Sequence, residues 1–138
     1  MVYPCGVWKS LLDKFVIQTP DAPQAIGTYS QGIKSGNLVF TSGQIPLNPA
    51  SGKLINNDFK SEITQVLINL NAVLNGGGSS LKNAIKLTVY LTDLSNFSQV
   101  NEVFKEYFPE NPPARSAVQV SALPMNARIE IEAVGSVE

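Results

Sequence analysis

The strongest apolar stripe in the chain is Ile63, Val66, Leu67, Leu70, Val73 and Leu74. These positions recur every three or four residues, the spacing of a helix that buries one face. Asp58 stands where its side chain can cap the first turn, and Gly76-Gly77-Gly78 closes the far end, since glycine readily takes the left-handed backbone a helix terminus needs. A glycine triplet can also cradle phosphate, but such a loop leads from a strand into a helix and carries Gly-Lys-Ser/Thr. This one follows a helix and lacks that sequence, so it reads as a stop signal.

A period of two replaces the helical period at Ile85, Leu87, Val89 and Leu91, which alternate with Lys86, Thr88 and Tyr90. That is a strand with one buried face. Phe97, Val100, Phe104, Tyr107 and Phe108 restore the helical stripe until Pro109 stops it. An aromatic stripe at this spacing reads as core packing rather than as a stacking platform. Two strands close the chain. Ser116, Val118 and Val120 oppose Arg115, Ala117 and Gln119 in the first, and Ile129, Ile131 and Ala133 oppose Arg128, Glu130 and Glu132 in the second. Near the start, Ile33–Gly36 and Leu38–Ser42 flank the turn-forming trio Ser35-Gly36-Asn37, and Pro46, Pro49 and Gly52 mark a loop. The order is strands, helix, strand, helix, strands. It predicts an α+β fold in which both helices pack on one face of a mixed sheet.

Residues 1–18 precede this pattern. Trp8, Leu11, Leu12 and Phe15 give a brief helical spacing, and the segment reads as an N-terminal extension to a single domain over residues 19–138. It lacks the arginine of a mitochondrial presequence and the apolar run of a secretory signal. It is expected to be dispensable for assembly and turnover, and the chain is expected in the cytoplasm, with a mitochondrial location as the alternative.

Composition narrows the chemistry. Of 138 residues, 43% are hydrophobic and 15% charged, which suits one compact folded domain. No apolar run reaches the length of about 18 residues that spans a bilayer, so no membrane partner is expected. A net charge of -1 without a basic cluster disfavours nucleic acid as a partner. The chain has no histidine and a single cysteine, Cys5. Histidine-dependent triads, histidine-ligated zinc and internal disulfides are thereby excluded, which leaves carboxylates, Arg, Lys, Tyr, hydroxyls and backbone groups as the available chemistry.

Among those, Arg115 enters a strand directly after Pro112-Pro113-Ala114. A guanidinium held there can grip a carboxylate through two parallel hydrogen bonds, or it can be an ordinary surface arginine. Glu130 and Glu132 share one strand face. They can divide acid and base roles, or they can mark the wet side of the sheet.

Several segments together resemble the RidA family, also called YjgF or L-PSP. They are Ile26-Gly27-Thr28-Tyr29-Ser30-Gln31-Gly32, Thr41-Ser42-Gly43-Gln44-Ile45-Pro46, Val100-Asn101, Pro113-Ala114-Arg115-Ser116, the run from Val118 to Pro124, and Ile129-Glu130-Ile131-Glu132-Ala133. The similarity spans about Thr19 to Glu138, in the expected order. It implies a chorismate-mutase-like fold and a homotrimer with ligand clefts between subunits. It also implies cofactor-free hydrolysis of 2-imino or enamine acids, as a 2-iminobutanoate/2-iminopropanoate deaminase, to 2-oxo acids and ammonia. By the same resemblance Arg115 binds the substrate carboxylate and Glu130 positions or activates water. Tyr29, Ser42, Gly43, Asn101 and Ala117 line the site. Ala117 stands where many members have cysteine, which excludes a thiol role there, and Thr28 stands where proline is common. The alternatives are an endoribonuclease or translation inhibitor and a non-catalytic regulator that binds 2-oxo or imino acids.

One geometric expectation follows from the strand order. If the last two strands form a hairpin through Leu123–Ala127, Val120 lies opposite Glu130. Arg115 is then five residues further on, roughly 17 Å away at the usual strand rise, so that the two would have to meet from different chains.

Overall fold

A computed structural model describes residues 13–137 of the chain. Six strands form one sheet: β1 (Lys14–Ile17), β2 (Gly32–Ser35), β3 (Leu38–Thr41), β4 (Ala84–Leu91), β5 (Ala114–Gln119) and β6 (Ile129–Ser136). Helix α1 (Phe59–Gly76) lies between β3 and β4, and α2 (Phe97–Tyr107) between β4 and β5. The order across the sheet is β1-β2-β3-β6-β4-β5, with β4 and β5 parallel and every other pair antiparallel. This is the expected mixed α+β architecture.

Both helices cover one face. Ile63, Val66, Leu67, Leu70, Val73 and Leu74 of α1 are fully buried with Val39, Leu87, Val89, Leu91, Ile129 and Ile131 of the sheet and Val100 of α2. Each such aliphatic side chain contributes about 1.5–3 kcal/mol relative to exposure. Asp58 caps α1 by accepting the Ser61 N–H at 2.9 Å, and Gly77 and Gly78 end it, Gly78 at a φ of 85°. The two-residue turn at Gly36-Asn37 joins β2 to β3.

The closing strands differ from the expected hairpin. The β4–α2–β5 segment is a parallel crossover unit, which sends β5 to the outer edge of β4. β6 then runs antiparallel between β4 and β3. Glu130 is therefore in register with Tyr90 of β4, not with Val120.

The other difference lies at the start. Lys14–Ile17 forms an edge strand on β2, with Phe15 opposite Lys34 and Ile17 opposite Gly32. Phe15 is thus in a strand rather than a helix, while Trp8, Leu11, Leu12 and Cys5 lie outside the described residues. Ile17 is only 5% exposed and packs in the core against α1. A chain starting at Thr19 should therefore be less stable than one starting at Lys14, by about 2–4 kcal/mol, since it loses Ile17's burial and four ladder residues. Parallel urea unfolding of the two truncations measures this difference; coincident curves would show that β1 adds nothing.

Candidate functional site

The residues singled out in the sequence fall into two groups on opposite sides of the sheet. Arg115 is in register with Leu87, one of the β4 residues buried beneath the helices, so its side chain leaves β5 on the helix side. There α2 receives it. The guanidinium carbon sits 4.8 Å from the centre of the Phe97 ring and 5.4 Å from that of Phe104, and Nη1 donates to Asn101 Oδ1 at 2.7 Å. Phe97, Asn101 and Phe104 are spaced by four and three residues, which aligns them on one face of α2. Partial burial pulls the guanidinium pKa below its ordinary value without neutralising it. No carboxylate among the described residues pairs with it. The other arginine, Arg128, is spoken for: it pairs with buried Glu62 of α1 and lies over Phe59. Arg115 opens onto a cavity of about 430 Å³ bordered by Phe104, Lys105, Phe108, Pro112 and Pro113.

The second group surrounds Glu130. Tyr29, Ser42, Gly43 and Glu130 line one cavity of about 370 Å³, together with the apolar side chains of Ile26, Ile45, Leu47, Pro124 and Met125. Burial, and secondarily the nearby charge of Glu132, hold the Glu130 carboxyl above the usual glutamate range. Glu132 in turn accepts the hydroxyl of Tyr90, and that bond, followed by burial, raises the tyrosine's pKa. Gly43 lies close against Glu130. A Cβ there would meet the end of the Glu130 side chain, with Cδ only 2.8 Å away, and would push the carboxylate aside. Ser42 uses its hydroxyl internally, donating to the Ser30 carbonyl at 2.5 Å while its N–H donates to Gln31 O. It therefore braces the segment that carries Tyr29. The Tyr29 ring is half exposed, and its hydroxyl accepts the Ile26 N–H at 3.4 Å. Ala117 lines neither cavity; it is half-buried against the core beneath α2.

Glu130 and Arg115 are separated by direction as well as distance. They lie two strands apart across β4, and their register partners Tyr90 and Leu87 are three residues apart, a diagonal of about 14 Å. Glu130 shares the uncovered face with Tyr90 and Glu132, whereas Arg115 faces α2. One chain thus presents two separate candidate clusters: a cationic one beside a cavity, and a largely apolar one built around the partly buried Glu130 carboxyl.

Buried amides also shape the second cluster, and sequence reading passed over them. Gln31 is 3% exposed; it accepts the Thr19 N–H at 2.7 Å and donates to the carbonyls of Thr19, Ala22 and Pro23 at 3.0, 3.3 and 2.8 Å. It ties residues 19–23 to the start of β2. Asn69 flanks the apolar stripe of α1, beside Glu62, and is fully buried. Among the described residues, no group of three or more Asp, Glu or Cys side chains is placed to hold a metal ion.

The family model described as Endoribonuclease L-PSP matches residues 19–137. The chain is 51% identical over 121 residues to a RutC family protein of Pyrococcus horikoshii, covering 88% of this chain and 96% of the other. It is 46% identical over 125 residues to the human 2-iminobutanoate/2-iminopropanoate deaminase, covering 91% of each. Its fold superposes with a TM-score of 0.85 on E. coli TdcF with bound serine, at 41% identity, over 90% of this chain and 99% of that one.

Proposed function

The chain belongs to the Endoribonuclease L-PSP family, the family also called RidA, and on that footing we propose that it is a cofactor-free hydrolase that converts reactive 2-imino and enamine acids to 2-oxo acids and ammonia. The observation that carries this reading is the division of the site into an aromatic-cradled arginine without a carboxylate partner among the described residues and a partly buried glutamate. A 2-imino acid carries a carboxylate beside an imine carbon. It needs one group to hold the first and another to move protons at the second.

Arg115 takes the carboxylate through the donors that Asn101 leaves free. Glu130 accepts a proton from water as the water oxygen bonds to the imine carbon. The C=N electron pair moves to nitrogen, which takes that proton from Glu130, and a neutral tetrahedral amino alcohol forms. Glu130 then removes the hydroxyl proton and delivers it to the nitrogen, the C–N bond breaks as the carbonyl forms, and ammonia leaves. Imines hydrolyse unaided, so a positioned base of about 10²–10⁴-fold effect, together with orientation, is enough. The human relative is named for the deamination of two such acids, and the E. coli relative holds a small amino acid. The family model's endoribonuclease description has less support in this chain, which has no histidine and a net charge of -1.

The two half-sites meet when a second copy docks. The uncovered sheet face carries Val16, Ile33, Phe40 and Val134 in register across four strands, with Val16 64% and Phe40 43% exposed. Val118 on β5 is exposed as well. Such a face suits burial against other copies. A head-to-tail contact that sets Arg115 of one subunit over Glu130 of the next closes into a ring, which the family resemblance makes a chorismate-mutase-like trimer with three equivalent clefts.

The test is a coupled assay in which an amino-acid oxidase releases the imino acid and 2-oxo acid formation is followed. Dialysed, chelator-treated protein should accelerate hydrolysis above the spontaneous rate. No acceleration, or activity that returns only with added metal or pyridoxal phosphate, would contradict the reading. In the same assay Arg115→Lys should lower kcat/KM about 10–100-fold. Lysine keeps the charge but loses the second tooth of the grip and the fit between Phe97 and Phe104, and hydrogen bonds to charged groups are worth about 1.5–3 kcal/mol. An unchanged value would remove the carboxylate clamp.

A further inference from the structure

We propose that Asn69, on the buried face of α1, is a positioning residue that fixes the Glu130 carboxyl by clamping the 43–47 segment against β6. The proposal rests on the deaminase reading for its consequence, but its geometry stands independently. Asn69 has no exposed surface. Its Nδ2 donates to the carbonyls of Ile45 at 3.2 Å and Leu47 at 2.8 Å, more than twenty residues upstream. Its Oδ1 accepts Nε2 of Gln65, one helical turn earlier, at 2.9 Å, which fixes which end of the amide faces the loop.

The clamp reaches the reacting group in two steps. Ile45 is followed by Pro46 and preceded by Gln44, whose N–H donates to Ile131 O at 2.9 Å while its own carbonyl accepts the Ile131 N–H at 3.0 Å. That bridge holds the segment beside β6, and the adjacent Gly43 packs directly on the Glu130 side chain. Pro46 has no N–H, and the segment 42–58 contains no helix or extended ladder. The Gln44 bridge and the bonds of Ser42 to Ser30 and Gln31 hold this segment to the sheet side, and among the described residues the Asn69 amide supplies the side-chain hydrogen bonds that tie Ile45 and Leu47 to helix α1. A buried amide beside a leucine stripe is costly unless every bond is made, and here each bond is made to the loop or to orient the amide for it.

Loss of the clamp lets the Gly43 segment lift and exposes Glu130 further to water. The groups facing that carboxyl are Glu132 on its own strand, Tyr90 from β4 and Tyr29 across the cavity. None of them changes in an Asn69 variant. The acid limb of the kcat/KM profile should then move toward the ordinary glutamate range, since burial is the larger cause of its displacement.

Full-length Asn69→Leu is compared with wild type and with Val66→Ala, a core truncation on the same helix outside the site. Amide hydrogen exchange at Gln44 and steady-state kinetics across pH are read on all three. The expected result for Asn69→Leu is at least tenfold faster exchange at Gln44, a roughly tenfold lower kcat with KM little changed, and a downward shift of the acid limb. Val66→Ala should lower the melting temperature without any of these. If Asn69→Leu does not fold, Asn69→Ser, which is too short to reach both carbonyls, takes its place. Unchanged Gln44 exchange, or effects equal to those of Val66→Ala, would overturn the proposal. A wild-type chain without imine turnover would remove the deaminase reading alone, because exchange at Gln44 still decides whether Asn69 holds the segment.

Discussion

Glu130→Gln is expected to lower kcat by about 10²–10⁴-fold, the range associated with a positioned proton-transfer group, while KM changes little. The amide keeps the size of the side chain and its place against Gly43, so the cavity survives. What disappears is the ability to take a proton from water and return it to nitrogen. The sign of the pH dependence follows from the same group. Its carboxyl is held above the ordinary glutamate range by burial and by Glu132, and it acts when deprotonated. Activity of the wild type should therefore rise as pH increases through that raised value and fall below it. Glu132→Gln keeps an acceptor for Tyr90 but removes the neighbouring charge, so it should move the acid limb to lower pH. A full kcat in Glu130→Gln would remove the general base from the account. A limb that stays put in Glu132→Gln would remove only the neighbour's influence.

Much of the framework was legible in the order of residues because one-sided burial leaves a periodic trace. The α1 stripe, its Asp58 cap and its glycine stop, the β4 alternation and the α2 stripe appear in the structure within a residue or two of where periodicity places them. Partner choice between strands leaves no such trace. β5 and β6 are consecutive in the chain, and a hairpin is the simplest connection, but the helix between β4 and β5 requires a parallel crossover and carries β5 to the sheet edge. That requirement was present in the strand-helix-strand order. β1 was harder to see. Four residues are too few for a period to declare itself, and Phe15 fits a helical spacing as readily as an extended one.

The site shows the same division. Arg115, Asn101, Tyr29, Gly43 and Glu130 could be named from family segments, yet the segments do not say that these residues part into two groups. Strand parity does. Arg115 shares its face with the buried Leu87, and Glu130 shares its face with Tyr90. The hairpin on which the cross-chain expectation rests does not form, and it is the placement of the two residues on opposite faces of one sheet that motivates the proposed shared site. Gln31 and Asn69 escaped notice because a buried amide differs from a surface amide only in its partners, which are remote in sequence.

The central claim, that a working site joins Arg115 of one subunit to Glu130 of another, is tested most directly by mixing inactive variants. Arg115→Ala and Glu130→Ala should each be nearly inactive when purified alone. Refolded together in equal amounts, the chains assort at random, and a shared cleft then receives an intact arginine and an intact glutamate in about one quarter of cases. Mass spectrometry under native conditions establishes that mixed assemblies have formed. Recovery of imine hydrolysis to near that fraction of wild type is the predicted result. Mixed assemblies that remain as inactive as the separate variants would mean that one chain supplies both residues, and would contradict the two-half-site account.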